Sequence, residues 1–302
     1  MTQTTTSVAR PKKPEWLKVK LPSGDKYNFI KSQRKNLGLA TVCEEANCPN
    51  IGECWSTGTA TFMILGDTCT RGCRFCSVKT SRRPAPPDPN EPEKLGDTIS
   101  QLALDYVVLT TVDRDDMPDQ GAGHIARCIT GVQSACPSLL IEILMPDFRG
   151  DHALVDIVVD SAPAVLAHNV ETVERLTGRV RDKRAGYRQS LDVLARFKAR
   201  NPLSYTKSSL MVGLGETAEE IEQAMKDMRS VGVDFLTIGQ YLQPNRGLLD
   251  VFEFIHPDKF MEYERLGLSL GFRYVASGPL VRSSYKAAEH FIKSILTRQT
   301  QN

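Results

Sequence analysis

The sequence predicts an α/β protein built on a partial TIM-type (β/α)6 barrel. After Cys76, short apolar runs alternate with longer amphipathic stretches, which is the pattern of βα units around a parallel sheet. The chain has 302 residues, enough for one such domain with a full core. Only six strand candidates are found, so we predict a barrel that falls short of the full eight units.

Each predicted strand is a short run rich in apolar and β-branched residues. The first of them, TFMIL, leads directly into a cluster of cysteines. The six predicted strands cover residues 61–65, 106–110, 139–144, 164–168, 208–213 and 234–239.

Between the strands, apolar residues recur at i, i+3 and i+4, which predicts helices. Segment 82–93 holds five prolines and predicts an extended surface loop. The predicted helices cover about 97–104, 121–135, 150–160, 187–200 and 217–231, and a helix at 258–270 precedes the apolar run 272–278 and a C-terminal helix at about 285–297.

Charge and hydropathy exclude two classes of partner. The formal net charge of +2 gives no electrostatic argument for binding nucleic acid. No apolar run approaches the roughly 18 residues of a membrane span. The Thr-rich start MTQTTTSVARPKKPEW lacks the apolar core of a secretory signal. It faintly resembles an organelle transit peptide but is short and contains Pro11 and Pro14, so we interpret it as a flexible tail. We therefore expect a cytoplasmic protein with neither nucleic acid nor membrane as a partner.

The chain has eight cysteines, and their spacing points to metal or redox chemistry. In a reducing compartment, closely spaced thiolates bind metals more often than they form disulfides. Cys128 and Cys136 lie in an apolar segment and are predicted to belong to the core. The other six are bunched: Cys43, Cys48, Cys54, Cys69, Cys73 and Cys76.

The segment TCTRGCRFC (68–76) contains a C-x3-C-x2-C triplet with no fourth cysteine beside it. Soft thiolates select zinc or iron–sulfur clusters. A structural zinc site is closed by four ligands, whereas a cubane held by three cysteines leaves one iron open. The spacing fits neither the paired C-x2-C units of zinc ribbons nor the ferredoxin run, and zinc remains the alternative.

With Phe75 as the aromatic residue, the triplet resembles the C-x3-C-x-aromatic-C signature of radical S-adenosylmethionine enzymes. In that family the motif follows the first barrel strand, as TFMIL precedes it here. The resemblance implies a [4Fe–4S] cluster on Cys69, Cys73 and Cys76, which form the catalytic centre. Its open iron binds S-adenosylmethionine, and one electron cleaves this cofactor to methionine and a 5′-deoxyadenosyl radical.

A second motif, CEEANCPNIGEC (43–54), has the spacing C-x4-C-x5-C. By itself it is compatible with a zinc knuckle or with surface cysteines, but it is similar to the auxiliary-cluster motif of lipoyl synthases. The resemblance extends from about Lys35 to the C-terminal helix. Six further blocks carry it in order: VVLTTVDRDDMPDQGA (107–122), EILMPDF (142–148), AHNVETVERL (167–176), LMVGLGET (210–217), LTIGQYLQP (236–244) and VRSSYKA (281–287).

The resemblance to lipoyl synthases implies a second [4Fe–4S] cluster on Cys43, Cys48, Cys54 and Ser283, the first serine of the RSSY block. This auxiliary cluster would be the sulfur donor, which makes Ser283 part of the catalytic machinery. An alkoxide is a harder ligand than a thiolate, so its iron should be released first. Capping of a helix N-terminus is the alternative role for this serine.

The implied reaction inserts sulfur at carbons 6 and 8 of an octanoyl chain held on a lysine of a lipoyl carrier protein, using two S-adenosylmethionines. Implied partners are the octanoylated carrier protein, an electron donor such as ferredoxin or flavodoxin, and an iron–sulfur carrier that renews the cluster. Another two-cluster radical enzyme is the alternative function. A non-catalytic metal-binding protein is a third hypothesis.

Polar residues at two predicted strand ends are candidates for binding S-adenosylmethionine. Asn169 and Glu171 follow one strand and could bond its ribose and amino groups, the alternative being a helix cap. The loop DRDDMPD (113–119) follows another strand, and the family resemblance places it against the cofactor, with Thr111 and Asp113 as candidates. A calcium loop or a solvated charged surface are the alternatives. GLGET (213–217) matches a phosphate loop only weakly.

These observations predict three segments. Residues 1–60 form a tail and an extension that carries the auxiliary cluster. Residues 61–272 form the partial barrel, and residues 273–302 form an extension that closes the auxiliary cluster.

Overall fold

The computed structural model describes residues 12–18, 40–41, 50–51, 61–102, 104 and 106–284, with the backbone alone at 40–41. The predicted C-terminal helix lies outside these residues, as do Cys43, Cys48 and Cys54. In the described ranges, no helix combines the length and apolar character needed to cross a membrane.

A mostly parallel sheet forms the centre of the described structure. Its strands are β1 (Ala40–Thr41), β2 (Thr61–Ile64), β5 (Tyr106–Thr111), β6 (Leu140–Leu144), β7 (Val165–Ala167), β8 (Tyr205–Val212), β9 (Phe235–Gln240) and β10 (Tyr274–Gly278), while β3 (Thr68–Cys69) and β4 (Lys79–Thr80) pair with each other. The order in the sheet is β1-β2-β5-β6-β7-β8-β9-β10. All neighbours from β2 to β10 are parallel, and β1 is antiparallel to β2. The sheet does not close on itself in the described part, which confirms a partial barrel.

Helices connect the parallel strands, as the periodicity predicts. They are α1 (Glu91–Leu102), α2 (Ala122–Ala135), α3 (His152–Val159), α4 (Thr177–Val180), α5 (Tyr187–Arg200), α6 (Ala218–Ser230) and α7 (Pro257–Ser269). The first begins earlier than predicted, so the end of the proline-rich segment 82–93 is helical rather than extended. Pro92 lies in the first turn of α1, where a missing N–H breaks no helical hydrogen bond.

The six predicted strands are present, and two parts of the sheet go beyond the prediction. Strand β8 begins at Tyr205, three residues before the predicted start, although Thr206 and Lys207 are polar. Lys207 is buried and its Nζ lies 2.8 Å from Glu142 Oε1, so its charge is paired inside the fold. Strand β10 adds a seventh parallel strand.

The two faces of the sheet are buried differently. On β5, Val107 and Leu109 belong to the large core beneath the helices, whereas Tyr106 and Val108 belong to a smaller cluster on the other face, which is the barrel interior. Parallel pairing brings the carboxyl ends of the strands to one edge. The loops that follow β2, β5, β6, β7 and β9 meet at this edge.

Candidate active site

The cysteine loop begins where β2 ends. Leu65 and Gly66 both have positive φ values, 69° and 88°, so the chain turns sharply out of the sheet. The Leu65 amide donates to Glu91 Oε2 (3.0 Å), and its carbonyl accepts from Arg114 Nη1 (3.4 Å). Glu91 is itself bonded to His124 (2.6 Å). Buried charged groups therefore hold both ends of this strained turn.

The three thiols of the loop are half-buried and receive backbone N–H groups. Cys69 Sγ accepts from the amides of Arg71 and Asp113, each at 3.4 Å. Cys73 Sγ accepts from the amide of Asp182 at 3.3 Å. The amide dipoles of two other loops thus point at the sulfur atoms, an arrangement that stabilises negative charge on sulfur.

Burial changes the acidity of these thiols. It raises the pKa of Cys69 and the pKa of Cys73 to about 12, and the Asp113 carboxylate adds to both shifts. Burial also raises the pKa of Cys76, with Glu171 adding to the effect. Free thiols in this loop would stay protonated at neutral pH, so a bound cation is required to hold them as thiolates.

The spacing of the three thiols fits a cluster better than a single ion. Thiolates around one tetrahedral zinc lie about 3.8 Å apart, given a Zn–S distance of about 2.3 Å. The sulfur atoms of Cys69, Cys73 and Cys76 do not all lie within 4.8 Å of one another. The wider triangle suits a cubane, in which each sulfur binds a different iron.

Arg71, inside the cysteine motif, is almost fully buried and bonds three carboxylates. Its guanidinium lies 2.9 Å from Asp115, 2.8 Å from Asp147 and 3.3 Å from Asp113. Sequence reasoning missed this residue, since a lone arginine among cysteines gave no sign of being buried. The arginine ties the cysteine loop to the loops after β5 and β6.

The aspartates of DRDDMPD have partners within the protein. Asp115 bonds Arg71, Asp116 bonds Arg114 (2.8 Å), and Asp119 accepts from the amides of Gly121 and Gly123. Because these carboxylates already have partners within the protein, they are poorly placed to bind calcium. Burial raises the pKa of Asp113 to about 6 although Arg71 lies beside it.

The other predicted cofactor residues lie at the same edge. Thr111 is the last residue of β5 and is half-buried. Asn169 Nδ2 donates to Glu171 Oε1 (3.0 Å), and Glu171 has a left-handed φ of 71°. The next helical turn, Glu174–Leu176, begins after Val173, so neither side chain caps a helix. Burial raises the pKa of Glu171.

The glycine-rich segment GLGET does not form an open phosphate loop. Gly213 and Gly215 have positive φ values, and the Glu216 carboxylate accepts from the amides of Gly213 and Leu214. A phosphate would need these amides, so the loop is closed by its own glutamate.

The segment that carries Ser283 crosses the end of β9. The Val281 carbonyl lies against Gly239, where a Cβ would collide with it, and Arg282 Nη1 donates to the Gln240 carbonyl (3.3 Å). Ser283 is half-buried. Asn50 Nδ2 donates to the Leu280 carbonyl at 2.6 Å. Asn50 lies within CPNIGEC, so the two segments predicted to share the auxiliary cluster touch.

The two cysteines predicted to belong to the core are buried to different degrees. Cys128 is fully buried, as expected, whereas Cys136 is half-buried at the edge of the core. Cys128 lies beside Glu91 and His124, with ligand atoms within 4.8 Å of one another. Glu91 on α1 already bonds His124 on α2 and the Leu65 amide, so these residues connect both helices to the cysteine loop.

Comparisons with known proteins agree with this geometry. A model of the radical SAM superfamily matches residues 63–228, and a model of the N-terminal domain of lipoyl synthase matches residues 2–48. The fold and the cysteine loop thus define a radical S-adenosylmethionine enzyme. The FeFe-hydrogenase maturase HydG from Carboxydothermus hydrogenoformans has a similar fold, with a TM-score of 0.55 at 10% identity over 89% of this chain and 79% of that chain.

More similar proteins define the family. The protein named "Lipoyl synthase, mitochondrial" from Aedes aegypti is 58% identical over 95% of this chain and 75% of its own length. The protein of the same name from Arabidopsis thaliana is 54% identical over 94% of this chain and 78% of its own length. The chain therefore belongs to the lipoyl synthase family.

Membership confirms the predicted family, fold and activity: the protein is a radical, sulfur-inserting enzyme. It also confirms S-adenosylmethionine and one [4Fe–4S] cluster as cofactors. The predicted cytoplasmic location is wrong, because the relatives are named mitochondrial and so point to the mitochondrion.

Proposed function

We propose that the enzyme inserts two sulfur atoms, at carbons 6 and 8, into an octanoyl chain held on a lysine of a lipoyl carrier protein. The observation that carries this proposal is the contact between Asn50 and the Leu280 carbonyl. It supports a second metal-binding centre formed jointly by the CEEANCPNIGEC and RSSY segments. Sulfur insertion requires a sulfur donor near the radical centre, and the contact supports a shared position for the two proposed donor segments.

Cys69, Cys73 and Cys76 hold the first [4Fe–4S] cluster in this proposal. When bound, the cluster supplies the electron that cleaves S-adenosylmethionine to methionine and a 5′-deoxyadenosyl radical. The protein's part is to keep water away and to fix the loop. Buried Arg71 does the latter by bonding carboxylates from two neighbouring loops.

Four side chains at the strand ends bind S-adenosylmethionine in this proposal: Asn169, Glu171, Thr111 and Asp113. Asn169 and Glu171 already bond each other, so their amide and carboxylate are oriented as a unit. Carboxylates are suited to accept hydrogen bonds from the amino and ribose hydroxyl groups of the cofactor. Asp113 also lies 3.6 Å from the Cys69 thiol, beside the proposed cluster.

Cys43, Cys48, Cys54 and Ser283 hold the auxiliary cluster, which donates the sulfur. The three cysteines lie outside the described residues, and support comes from their neighbour Asn50 and from the half-buried position of Ser283. In this proposal residues 1–60 and 273–302 supply this cluster and residues 61–272 supply most of the barrel, to whose sheet β1 and β10 of the outer segments each add a strand. A carrier protein, an electron donor such as ferredoxin or flavodoxin, and an iron–sulfur carrier are the proposed partners.

An assay for dithiolane formation tests the proposal. Anaerobically reconstituted protein, reduced with dithionite, is supplied with S-adenosylmethionine and an octanoylated carrier domain, and the carrier is analysed by mass spectrometry. We expect lipoyl product, and about eight irons per chain without stoichiometric zinc. Only uncoupled 5′-deoxyadenosine would favour another two-cluster radical enzyme, and stoichiometric zinc would favour a non-catalytic protein.

Two cysteine variants test the division of labour between the clusters. Cys73→Ala should abolish cleavage of S-adenosylmethionine, because it removes a ligand of the radical centre. Cys48→Ala should leave cleavage intact and stop sulfur insertion. Measuring 5′-deoxyadenosine and dithiolane in parallel distinguishes the two, and equal loss of cleavage in both variants would contradict the assignment.

A further inference from the structure

Several positive charges on the outer helices are paired with carboxylates. Arg196 bonds Asp156 at 2.5 Å, and Arg200 bonds Asp160 at 2.7 Å, both between α5 and α3. On α6, Lys226 pairs with Glu222 at 2.7 Å. Arg127 on α2 and Arg229 on α6 instead contact the His124 ring and the Val233 carbonyl.

The barrel mouth is different. Within residues 61–284, some cationic side chains have no hydrogen bond or ion pair to another described residue. With one exception they lie in the connections that follow β2, β6, β7 and β9, one of them on the single-turn helix α4. All of them are exposed. They are Arg74, Arg82, Arg83, Arg149, Arg179, Lys183 and Arg246, and the exception is Arg265 on α7.

Two of these cations flank one cavity beside the cysteine loop. Its volume is about 360 Å³, and its lining residues are Arg82, Lys183, Arg184, Thr70, Asp115 and Asp116. Thr70 lies inside the cysteine motif, and Asp115 bonds Arg71. Unpaired positive charge is therefore concentrated within a few side chains of the proposed radical centre.

Several carboxylates of the same loops are already engaged and do not offset this charge. Asp67 pairs with Lys79 (2.6 Å), Asp116 with Arg114 (2.8 Å), and Asp182 with Arg184 (2.8 Å). The positive charge is in excess on one side of the mouth: residues 65–90 and 168–186, the connections after β2 and β7, together hold ten basic and five acidic residues. We call this side, which includes Arg82, Arg83 and Lys183, the cationic rim. Such an excess of positive charge attracts and orients a negatively charged partner.

We propose that this cationic rim is the docking surface for the acidic face of the carrier domain that presents the octanoyl-lysine arm. The inference rests on the proposed function. If the acyl chain enters the barrel mouth while covalently attached to a folded domain, that domain must sit on the loops around the mouth. Exposed cations without partners there attract carboxylates of the carrier, which speeds its association and fixes its orientation on the mouth.

The experiment uses reconstituted full-length enzyme carrying Arg82→Glu, Arg83→Glu and Lys183→Glu together. Two substrates are compared: an octanoylated carrier domain, and a short neutral peptide with octanoyl-lysine. Dithionite supplies the electrons, so that docking of a protein electron donor does not enter the measurement. Arg265→Glu is the matched control, since it reverses an exposed, unpaired cation on an outer helix.

We expect the triple variant to raise KM for the carrier domain by about tenfold or more, since charge reversal at a docking rim slows association. Turnover of the short peptide should match wild type, which also shows that the variant is folded. For the wild-type enzyme, KM for the carrier should rise with NaCl, and the triple variant should lose most of this dependence. Arg265→Glu should behave as wild type.

The proposal is overturned if the triple variant and Arg265→Glu have equal KM values for the carrier domain. It is also overturned if a defect appears only when a reduced flavodoxin replaces dithionite, because the rim would then bind the electron donor. Failure of the wild-type enzyme to form dithiolane on either substrate is a separate result and counts against the proposed function itself.

Discussion

At the scale of single residues, buried polar side chains organise the site. Arg71 is the clearest case, because one guanidinium gathers carboxylates from the loops after β5 and β6 around the cysteine motif. The family resemblance singled out Asp113 as a cofactor contact, but nothing in the sequence singled out Arg71. The signal for Arg71 is its burial, and burial depends on residues more than forty positions away along the chain.

His168 is a second buried polar residue, and it predicts a pH dependence of stability. It is held neutral: Nδ1–H donates to the Met145 carbonyl (2.9 Å), and Nε2 accepts from Ser190 Oγ (2.9 Å). Burial, with Arg181 nearby, lowers the pKa of His168 from 6.5 to about 4. In the unfolded chain the ring takes up a proton near its ordinary pKa, whereas the folded protein resists protonation down to about pH 4.

The contribution of His168 to the free energy of unfolding is therefore fully present above about pH 6.5. It is lost as the pH falls toward about 4, and the total loss is about 3 kcal/mol. Thermal unfolding of the reconstituted enzyme at pH 7.5 and pH 5 checks this. Wild type should lose more stability between the two pH values than His168→Gln, which has no titrating ring. Equal losses in both proteins would show that this histidine does not contribute.

At the scale of elements, the strands were predictable where they were apolar and unpredictable where they were polar. Strand β8 begins at Tyr205, but the prediction began at residue 208, because Lys207 looks like a loop residue until Glu142 is placed opposite it. The close approach of the RSSY segment to β9 was also not predictable. Glycine at 239 permits it, since only a residue without Cβ leaves room for the Val281 carbonyl.

Gly239→Ala tests whether this approach places Ser283. The added methyl group overpacks the contact, which costs about 1–3 kcal/mol and displaces the segment rather than the strand. Sulfur insertion should fall by about tenfold or more while cleavage of S-adenosylmethionine continues, and fewer irons per chain should be retained. Iron analysis and the two product assays measure these effects.

Gly178→Ala is the control for that substitution. A Cβ at 178 meets nothing within 4 Å and the residue lies in α4, so this change should leave iron content and both products as in wild type. If Gly239→Ala also left sulfur insertion unchanged, the segment would not be positioned by its contact with β9.

At the scale of the whole molecule, the barrel interior contains a buried ion pair. Lys207 Nζ lies 2.8 Å and 2.9 Å from the two Glu142 oxygens, and the Tyr106 hydroxyl donates to Glu142 Oε2 at 2.6 Å. These residues come from β8, β6 and β5, so the network spans the sheet across β7. Both charged groups are nearly inaccessible to water, and each is stabilised there by the opposite charge of the other.

Lys207→Met should destabilise the protein by about 3–5 kcal/mol, because it leaves the Glu142 carboxylate buried and unpaired. Lys207→Met combined with Glu142→Leu should recover most of this loss, since an apolar pair of similar volume removes the uncompensated charge. Thermal unfolding of the single and double variants gives the comparison. A double variant no more stable than Lys207→Met would mean that the pair matters for more than charge compensation.

The sequence by itself determined what depends on neighbours along the chain. Three cysteines within eight positions stay close in any fold, and the alternation of apolar runs with amphipathic stretches specified the βα units and the partial barrel. Tertiary structure alone decided which distant groups meet these elements: the Asp182 amide at Cys73, Arg71 among three aspartates, and Asn50 at Leu280. Such contacts arise where loops from different strands converge on one edge of the sheet, and local periodicity carries no record of that convergence.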